Sequence, residues 1–101
     1  MTIRRVSYRR MGPLLPRTPQ GLRAGSVVLP RGGMMDWHST LAREELLIAL
    51  RGRVRVEILT SRSQPAVRIR RIPLAAGECL YLPHHTQHRV LNLSTARARY
   101  I

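Results

Sequence analysis

The dominant pattern along the chain is an alternation of apolar and polar residues with a period of two. Residues 53–58, Arg-Val-Arg-Val-Glu-Ile, alternate charged and mostly β-branched side chains, and residues 66–72 and 96–101 continue the same pattern. Because successive side chains of a strand point to opposite faces, this period predicts strands with one face in a core and the other in water.

Shorter apolar segments predict four further strands, at residues 26–29, 46–50, 79–82 and 89–93. Turn-forming sequences rich in proline, glycine and polar residues separate them. Seven or eight short strands at this spacing predict an all-β, antiparallel sandwich or barrel in a single domain.

One segment, residues 40–50, has a composition that also suits a helix. It leads directly into an Arg-Gly-Arg turn and an alternating strand, so we predict a hairpin with a strand from about Glu45. Residues 1–25 are predicted to form an N-terminal section, with an edge strand at 2–10 and then an irregular, proline-containing connection. Residues 26–101 are predicted to form the barrel itself.

Size and composition limit the class of protein. The chain has 101 residues, of which 44% are hydrophobic, as expected of one globular domain. No apolar run approaches the roughly 20 residues that span a bilayer, and the N-terminus does not resemble a secretory signal. The single cysteine, Cys79, rules out an internal disulfide and is predicted to be a small core residue. We expect a cytoplasmic protein.

The charge is strongly positive. Eighteen arginines, no lysine and five acidic residues give a formal net charge of +13. Such a charge is typical of proteins with an anionic partner, such as nucleic acid, a membrane surface or an acidic substrate. The absence of lysine instead favours a compositional bias on solvated faces, and four aromatic residues offer few platforms for base stacking. From composition we therefore expect neither a nucleic-acid partner nor membrane contact.

The histidines are the main candidates for a functional site. Three of the four, His84, His85 and His88, fall within five residues, and the fourth is His38. They belong to two spaced sets of residues, which are Gly32, His38, Glu45 and Gly52, and then Gly77, Pro83, His88 and Asn92. In these two spacings the chain resembles the cupin superfamily over about residues 25–101, and the resemblance implies a β-barrel, or jelly roll.

The same resemblance implies a divalent metal held by three histidines and a glutamate. Thr40 stands where the second of two paired histidines would be, and His85 replaces a glycine of the second motif. The remaining set, His38, Glu45 and His88, suits non-haem Fe(II) with open coordination positions, while zinc, manganese or nickel are alternatives. Strand alternation allows either Glu44 or Glu45 to face inward, and the motif spacing favours Glu45.

Further residues were considered for substrate contact. We predict that the Thr40 hydroxyl bonds a metal-bound water or substrate, and that Tyr81 and His84 are additional substrate-binding residues. Tyr81 could equally pack at the barrel mouth, and His84 could be solvated in its turn. Arginines such as Arg51, Arg68 or Arg89 could recognise a carboxylate or phosphate, although an outward position is the simpler interpretation for each.

Three functions follow as hypotheses. The first is a metal-dependent enzyme acting on a small, anionic molecule, by resemblance a dioxygenase or a related isomerase or lyase. The second is a non-catalytic module that binds or senses a small molecule, and the third is an electrostatic role of the arginine surface. A homodimer formed through the strand at residues 2–10 is also expected, because an uncovered edge strand favours pairing.

Overall fold

A computed structural model of the protein describes residues 5–9, 11–15, 23–61 and 68–101. Within these residues the secondary structure is entirely β, which confirms the predicted fold class. The strands are β1 (Gly12–Pro13), β2 (Gly25–Leu29), β3 (Met34–Ser39), β4 (Glu45–Arg51), β5 (Arg53–Ser61), β6 (Arg68–Ala75), β7 (Cys79–Leu82), β8 (Gln87–Leu91) and β9 (Ala98–Tyr100).

The strands form two antiparallel sheets packed as a jelly-roll sandwich. One sheet has the order β1-β2-β9-β4-β7 and the other has the order β3-β8-β5-β6. Their inner faces enclose one apolar core, whose buried members are Leu29, Leu47, Ala49, Val54, Val56, Leu74, Leu82, Val90, Ala98 and Tyr100. Complete burial of an aliphatic side chain such as Leu or Val is worth about 1.5–3 kcal/mol, so the sandwich is stabilised mainly by this layer.

The alternation seen in the sequence determines which side chains enter the core. In β4, Leu47 and Ala49 are buried while Leu46 is exposed, and in β5 Val54 and Val56 are buried between arginines. The strand predicted from Glu45 is present, and the helical alternative is absent there.

Strand β3 was missed by the sequence analysis. Its sequence, Met-Met-Asp-Trp-His-Ser, has no clear alternation of apolar and polar residues, and its pairing with β8 shifts register between Met35 and His38. The side chains of β3 alternate between exposed and half-buried, but none is fully buried, so the strand needs no alternation of apolar and polar residue types. Strand β8 also begins two residues earlier than predicted, at Gln87.

The N-terminal section differs from expectation. Residues 5–9 form no strand, so the predicted edge strand is wrong over that part, and residues 2–4 and 10 lie outside the described residues. The connection contains the two-residue strand β1, which pairs with β2, while residues 16–22 lie outside the description. Cys79 is exposed, so its predicted place in the core is also wrong.

Two motif residues build turns rather than a site. Gly52 has φ +75°, and a Cβ there would lie 2.8 Å from the carbonyl oxygen of Arg97, so only glycine fits. Asn92 is completely buried, and its side-chain amide donates to the carbonyls of Leu29, Pro30 and Ala96. These contacts tie the β2–β3 turn to the β8–β9 turn.

No helix in the described part of the chain has the length and apolar character needed to cross a membrane. The cytoplasmic location expected from the sequence stays a prediction.

Candidate metal centre

Three of the predicted site residues come close together, with His88 buried, Glu45 half-buried and His38 exposed. One ligand atom each from His38, Glu45 and His88 can be chosen so that all lie within 4.8 Å of one another. His38 and His88 are direct cross-strand neighbours on β3 and β8, while Glu45 comes from β4 of the opposite sheet. The cluster therefore bridges the two layers, and its members are distant in sequence but adjacent in space.

Backbone carbonyls orient both imidazole rings. Nδ1 of His88 lies 3.1 Å from the carbonyl oxygen of Thr86, and Nδ1 of His38 lies 2.8 Å from that of Asp36. A carbonyl oxygen can only accept, so in each ring Nδ1 carries the proton that it donates. In the neutral ring, Nε2 then keeps a free lone pair, which is the arrangement found in metal-ligating histidines.

The Nε2 atom of His88 carries the strongest sign of a missing partner. It is buried, has no hydrogen-bond partner, and lies 3.5 Å from a carboxylate oxygen of Glu45. A neutral ring would direct its lone pair at an oxygen that is also an acceptor, which is unfavourable unless a cation or proton lies between them. Two imidazole nitrogens and one carboxylate are suitable ligands for a divalent transition metal, so these residues fit one.

Of the two adjacent glutamates, Glu45 belongs to the cluster and its side chain is 35% exposed. Glu44 lies at the rim, where its carboxylate accepts a hydrogen bond from the hydroxyl of Tyr81. That bond raises the pKa of Tyr81, and burial and the charge of Glu44 add to the effect. Tyr81 is 53% exposed and stands at the mouth of the site, outside the metal cluster.

The hydroxyl of Thr40 forms hydrogen bonds within the protein. Its hydroxyl donates to the carbonyl of Pro83 at 2.8 Å and accepts from the backbone N–H of Thr86 at 3.0 Å. The backbone N–H of Thr40 in turn donates to the carbonyl of Thr86. These bonds form a clasp, here called the threonine clasp, between the loop after β3 and the turn before β8. Thr40 thus holds together the two segments that carry the histidines, and its contact with substrate stays a prediction.

The two histidines of the β7–β8 turn are not part of the cluster. His84 and His85 are both exposed and pack edge to face, with ring centroids 5.0 Å apart. His85 has φ +54°, a left-handed conformation that favours glycine. Glycine is the residue that the resemblance places at this position. His84 lies in the same turn, and its substrate-binding role stays a prediction.

A cleft of about 570 Å³ opens onto His38 and Glu45. Its walls are mostly apolar, and they include Tyr100, whose pKa is raised to about 12 by burial and by the charge of Glu45. Arg23 lines the same cleft and was missed by the sequence analysis. It falls in the segment interpreted as an irregular connection, where no pattern distinguishes one arginine from another.

The arginines named from the sequence do not line this cleft. Arg51 and Arg68 are exposed on the surface. Arg89 lies on the opposite face of β8 from His88, where its guanidinium binds Glu57.

A jelly-roll sandwich in which a buried histidine, a half-buried glutamate and an exposed histidine lie close together defines a class of small β-proteins with a candidate metal centre. Comparison with protein families goes one step further. The cupin family model matches residues 18–100, so the chain belongs to the cupin family. None of the curated proteins matches the chain by sequence.

Several solved structures share the fold. An oxalate oxidase superposes with a TM-score of 0.69 at 22% identity, covering 77% of this chain and 38% of its own. The oxalate decarboxylase of Lactobacillus farciminis gives 0.67 at 23% identity, covering 77% and 22%. The CENP-C cupin domain of Drosophila melanogaster gives 0.66 at 13% identity, covering 75% and 55%. At these identities the likeness shows the fold, and the chain spans about a fifth to just over half of these proteins.

Proposed function

We propose that this protein is a small metal-dependent cupin that acts on a small carboxylate through His38, Glu45 and His88. The observation that carries the proposal is the buried Nε2 of His88, which faces Glu45 with no partner of its own. Fe(II) is the metal proposed first, because two imidazoles and one carboxylate with open positions are the ligand set of non-haem iron oxygenases. Zinc, manganese and nickel remain alternatives.

The substrate class follows from the cleft and from the structural neighbours. The cleft has a volume of about 570 Å³ and mostly apolar walls, and it is lined by the cationic side chain of Arg23 together with His38 and Glu45. A planar guanidinium recognises a carboxylate through two parallel hydrogen bonds. Solved neighbours include an oxalate oxidase with the substrate analogue glycolate and an oxalate decarboxylase with formate, both small carboxylates. These neighbours support, by analogy, an anionic substrate of similar size.

The proposed roles of the chain's own groups follow from their positions. The carbonyls of Thr86 and Asp36 hold the imidazoles so that Nε2 of each ring faces the cluster. Apolar walls such as Met35 and Leu47 limit water in the cleft, and Arg23 orients the carboxylate. A bound metal would supply Lewis-acid polarisation or dioxygen activation, consistent with dioxygenase, isomerase or lyase chemistry.

Metal binding is the direct test. Chelator-treated protein is titrated with Fe(II) under anaerobic conditions, and with Mn(II), Zn(II) and Ni(II), by calorimetry and elemental analysis. We expect one ion per chain for the wild type, and no stoichiometric ion for His88→Ala. His84→Ala is the matched control, because it removes an exposed imidazole from a neighbouring turn and is expected to keep full metal content. A wild-type protein that regains none of these ions would overturn the proposal.

A second candidate function is a binding module without catalysis. Thr40, at the position of the missing fourth ligand, uses its hydroxyl in the threonine clasp, which leaves three protein ligands in the cluster. Oxygen consumption and product analysis with oxalate, glycolate and formate distinguish the two candidates. Saturable binding of a carboxylate to the metal-loaded protein, with no turnover under any of the four metals, would favour the binding module.

A homodimer remains part of the proposal, but its contact needs revision. Residues 5–9 form no strand that could pair with a partner. Leu46 and Tyr81 are cross-strand neighbours in the five-stranded sheet that also line the mouth of the cleft, and each is 53% exposed. An apolar pair of this kind supports a contact there. Light scattering of wild type and Leu46→Glu is the test, and a monomeric wild type would contradict it.

A further inference from the structure

The outer face of the four-stranded sheet carries a cluster of arginines around one glutamate. Arg53, Arg55 and Glu57 alternate along one side of β5, while Arg71 of β6 and Arg89 of β8 are the cross-strand partners of Glu57. We call these five residues the arginine face. Next to it, the ring of Trp37 lies under the Arg89 guanidinium, 4.9 Å from its centre.

Glu57 organises three of these guanidinium groups. Its carboxylate accepts from Nε of Arg89 at 2.7 Å and from Nε of Arg71 at 3.2 Å, and Nη2 of Arg55 lies 3.1 Å away. The carboxylate is only 1% exposed, whereas Arg55 and Arg71 remain 38% and 56% exposed. The arginines therefore cover the glutamate and face water themselves.

The charges on this face are far from balanced. The face has four guanidinium groups and one carboxylate, which leaves a net charge of about +3. Burial acts to raise the pKa of Glu57, but the hydrogen bond from Arg89 and the charges of Arg89, Arg55 and Arg71 outweigh it and lower that pKa. The glutamate thus stays ionised and holds the guanidiniums in place. Each guanidinium has five N–H donors, and most of those on Arg71 and Arg55 are not used by Glu57.

Acidic residues elsewhere do not neutralise the arginines. In the described part of the chain, Glu57 is the only side-chain carboxylate in an ion pair with arginine. Three of the other four acidic side chains accept hydrogen bonds from different groups: Asp36 from the N–H of Trp37, Glu44 from Tyr81 and Glu78 from the N–H of Ala75. The fourth, Glu45, lies 3.5 Å from Nε2 of His88.

We propose that the arginine face binds single-stranded nucleic acid. Oriented guanidiniums match phosphate oxygens through bidentate hydrogen bonds, and their planes, together with an adjacent aromatic ring, offer stacking surfaces for unpaired bases. The face of a four-stranded sheet suits an extended strand better than the groove of a duplex, which admits a helix or a narrow ribbon. This departs from the expectation drawn from composition, because composition does not show that the arginines are clustered and held in orientation.

An acidic protein is the alternative partner, and two features favour nucleic acid over it. The arginine face already holds one carboxylate, and its arginines come from three neighbouring strands, β8, β5 and β6, with the side chains of Arg55 and Arg71 partly exposed. A phosphodiester chain presents regularly spaced anions to such a row. Trp37, the only tryptophan of the chain, lies at the end of the same row, where a base can stack.

The test uses the full chain and two fluorescent probes, oligothymidylate and oligouridylate of about 20 nucleotides, a length above the usual site size. Anisotropy titrations are run between about 50 and 200 mM salt. We expect binding that weakens as the salt concentration rises. The affinity should fall by about fivefold or more in Arg71→Gln and in Arg55→Gln. The slope of log affinity against log salt concentration should be reduced by about 0.7 for each lost phosphate contact.

Arg43→Gln is the control, because it removes the same charge from an exposed turn and is expected to change affinity by less than about twofold. Arg71→Lys keeps the charge and loses the fork, so it should still weaken binding, whereas Arg43→Lys should not. Equal losses in Arg71→Gln and Arg43→Gln would show a diffuse charge effect and overturn the proposal. So would tighter binding of a duplex of the same length, or of polyglutamate.

Metal-site variants separate this proposal from the previous one. His88→Ala removes a ligand on the inner face of β8, and a folded variant is expected to bind the oligonucleotides as the wild type does. Failure of metal binding therefore leaves the nucleic-acid experiment intact, and the reverse is also true.

Discussion

Two glutamates lie against opposite faces of β8, and the protein provides them with different partners. On the outer side, Glu57 is 1% exposed and contacts three arginines, including Arg89. On the inner side, Glu45 is 35% exposed and faces the unpaired Nε2 of His88 at 3.5 Å. The neighbouring residues His88 and Arg89 thus contact glutamates in two different environments. A carboxylate that is paired with arginine side chains stabilises the fold. A carboxylate that faces the lone pair of an imidazole is instead suited to bind a metal cation from solution.

The physical reason is desolvation. Removing an ionised carboxylate from water costs several kcal/mol, which Glu57 recovers from its guanidinium contacts. Glu45 retains partial contact with water through the cleft, so its carboxylate does not need a cationic partner from the protein for each oxygen. The comparison predicts that the same substitution at the two positions has opposite consequences for stability and for metal binding.

The largest effect is expected for Glu57→Gln. Loss of the carboxylate leaves three guanidiniums close together without their counter-charge, so the free energy of unfolding should fall by about 2–4 kcal/mol. Urea denaturation followed by circular dichroism measures it, and metal affinity measured on the folded fraction should not change. A loss below about 0.5 kcal/mol, the range of ordinary surface changes, would contradict the structural role of Glu57.

Acid titration tests the same ion pairs without a mutation. Because the folded protein lowers the pKa of Glu57 below its ordinary value of 4.5, its contribution to stability is complete above that pH. It is lost as the pH falls through 4.5 toward the lower pKa of the folded state. Urea denaturation across this range should show a steeper loss of stability in the wild type than in Glu57→Gln. Parallel curves would show that Glu57 does not contribute.

Glu45→Gln should produce the reverse result. Metal affinity is expected to fall by about 100-fold, because a charged ligand is replaced by a neutral amide, and ligand-shell changes commonly cost this much. Stability in the presence of chelator should change by less than about 1 kcal/mol, since the amide can donate to Nε2 of His88. Calorimetric metal titration and denaturation with chelator measure the two quantities. Strong destabilisation without metal would show that Glu45 and a protonated His88 form a structural ion pair.

The threonine clasp sharpens the comparison, because it holds only the inner site. Thr40→Val removes the acceptor of the buried Thr86 N–H, which should cost about 1–3 kcal/mol and weaken metal binding. Thr40→Ser keeps the hydroxyl and should recover most of both losses. If valine and serine behave alike, the hydrogen bonds of the clasp do not position the histidines.

The smallest effect is expected at His85. Its left-handed backbone costs about 1–2 kcal/mol for a residue with a Cβ, so His85→Gly should raise the free energy of unfolding by up to about 1 kcal/mol after the added entropy of glycine. His84→Gly is the control, since His84 has no positive φ and should lose stability. Stabilisation by both or by neither would mean that backbone strain at His85 is not the cause.

Much of the fold could be predicted from local pattern. The strands at Glu45 and Arg53 follow directly from alternating side chains, because a strand half-buried in a sandwich must alternate. Strand β3, which carries His38, could not be found this way, since none of its residues is fully buried and its residue types do not alternate in polarity. The three residues of the candidate metal centre were predicted from the resemblance to the cupin motifs. The structure brings their ligand atoms within 4.8 Å of one another.

The sequence by itself determined the all-β class, because a strand that is half-buried must alternate in polarity, and its resemblance to the cupin motifs named His38, Glu45 and His88 as candidate ligands. Only the tertiary structure decided which partners each polar group receives. It placed Arg23 in the cleft, directed Arg89 to Glu57, and used the Thr40 hydroxyl in a clasp between two loops. These outcomes depend on contacts between residues far apart in the chain, and no local pattern distinguishes one of eighteen arginines from another.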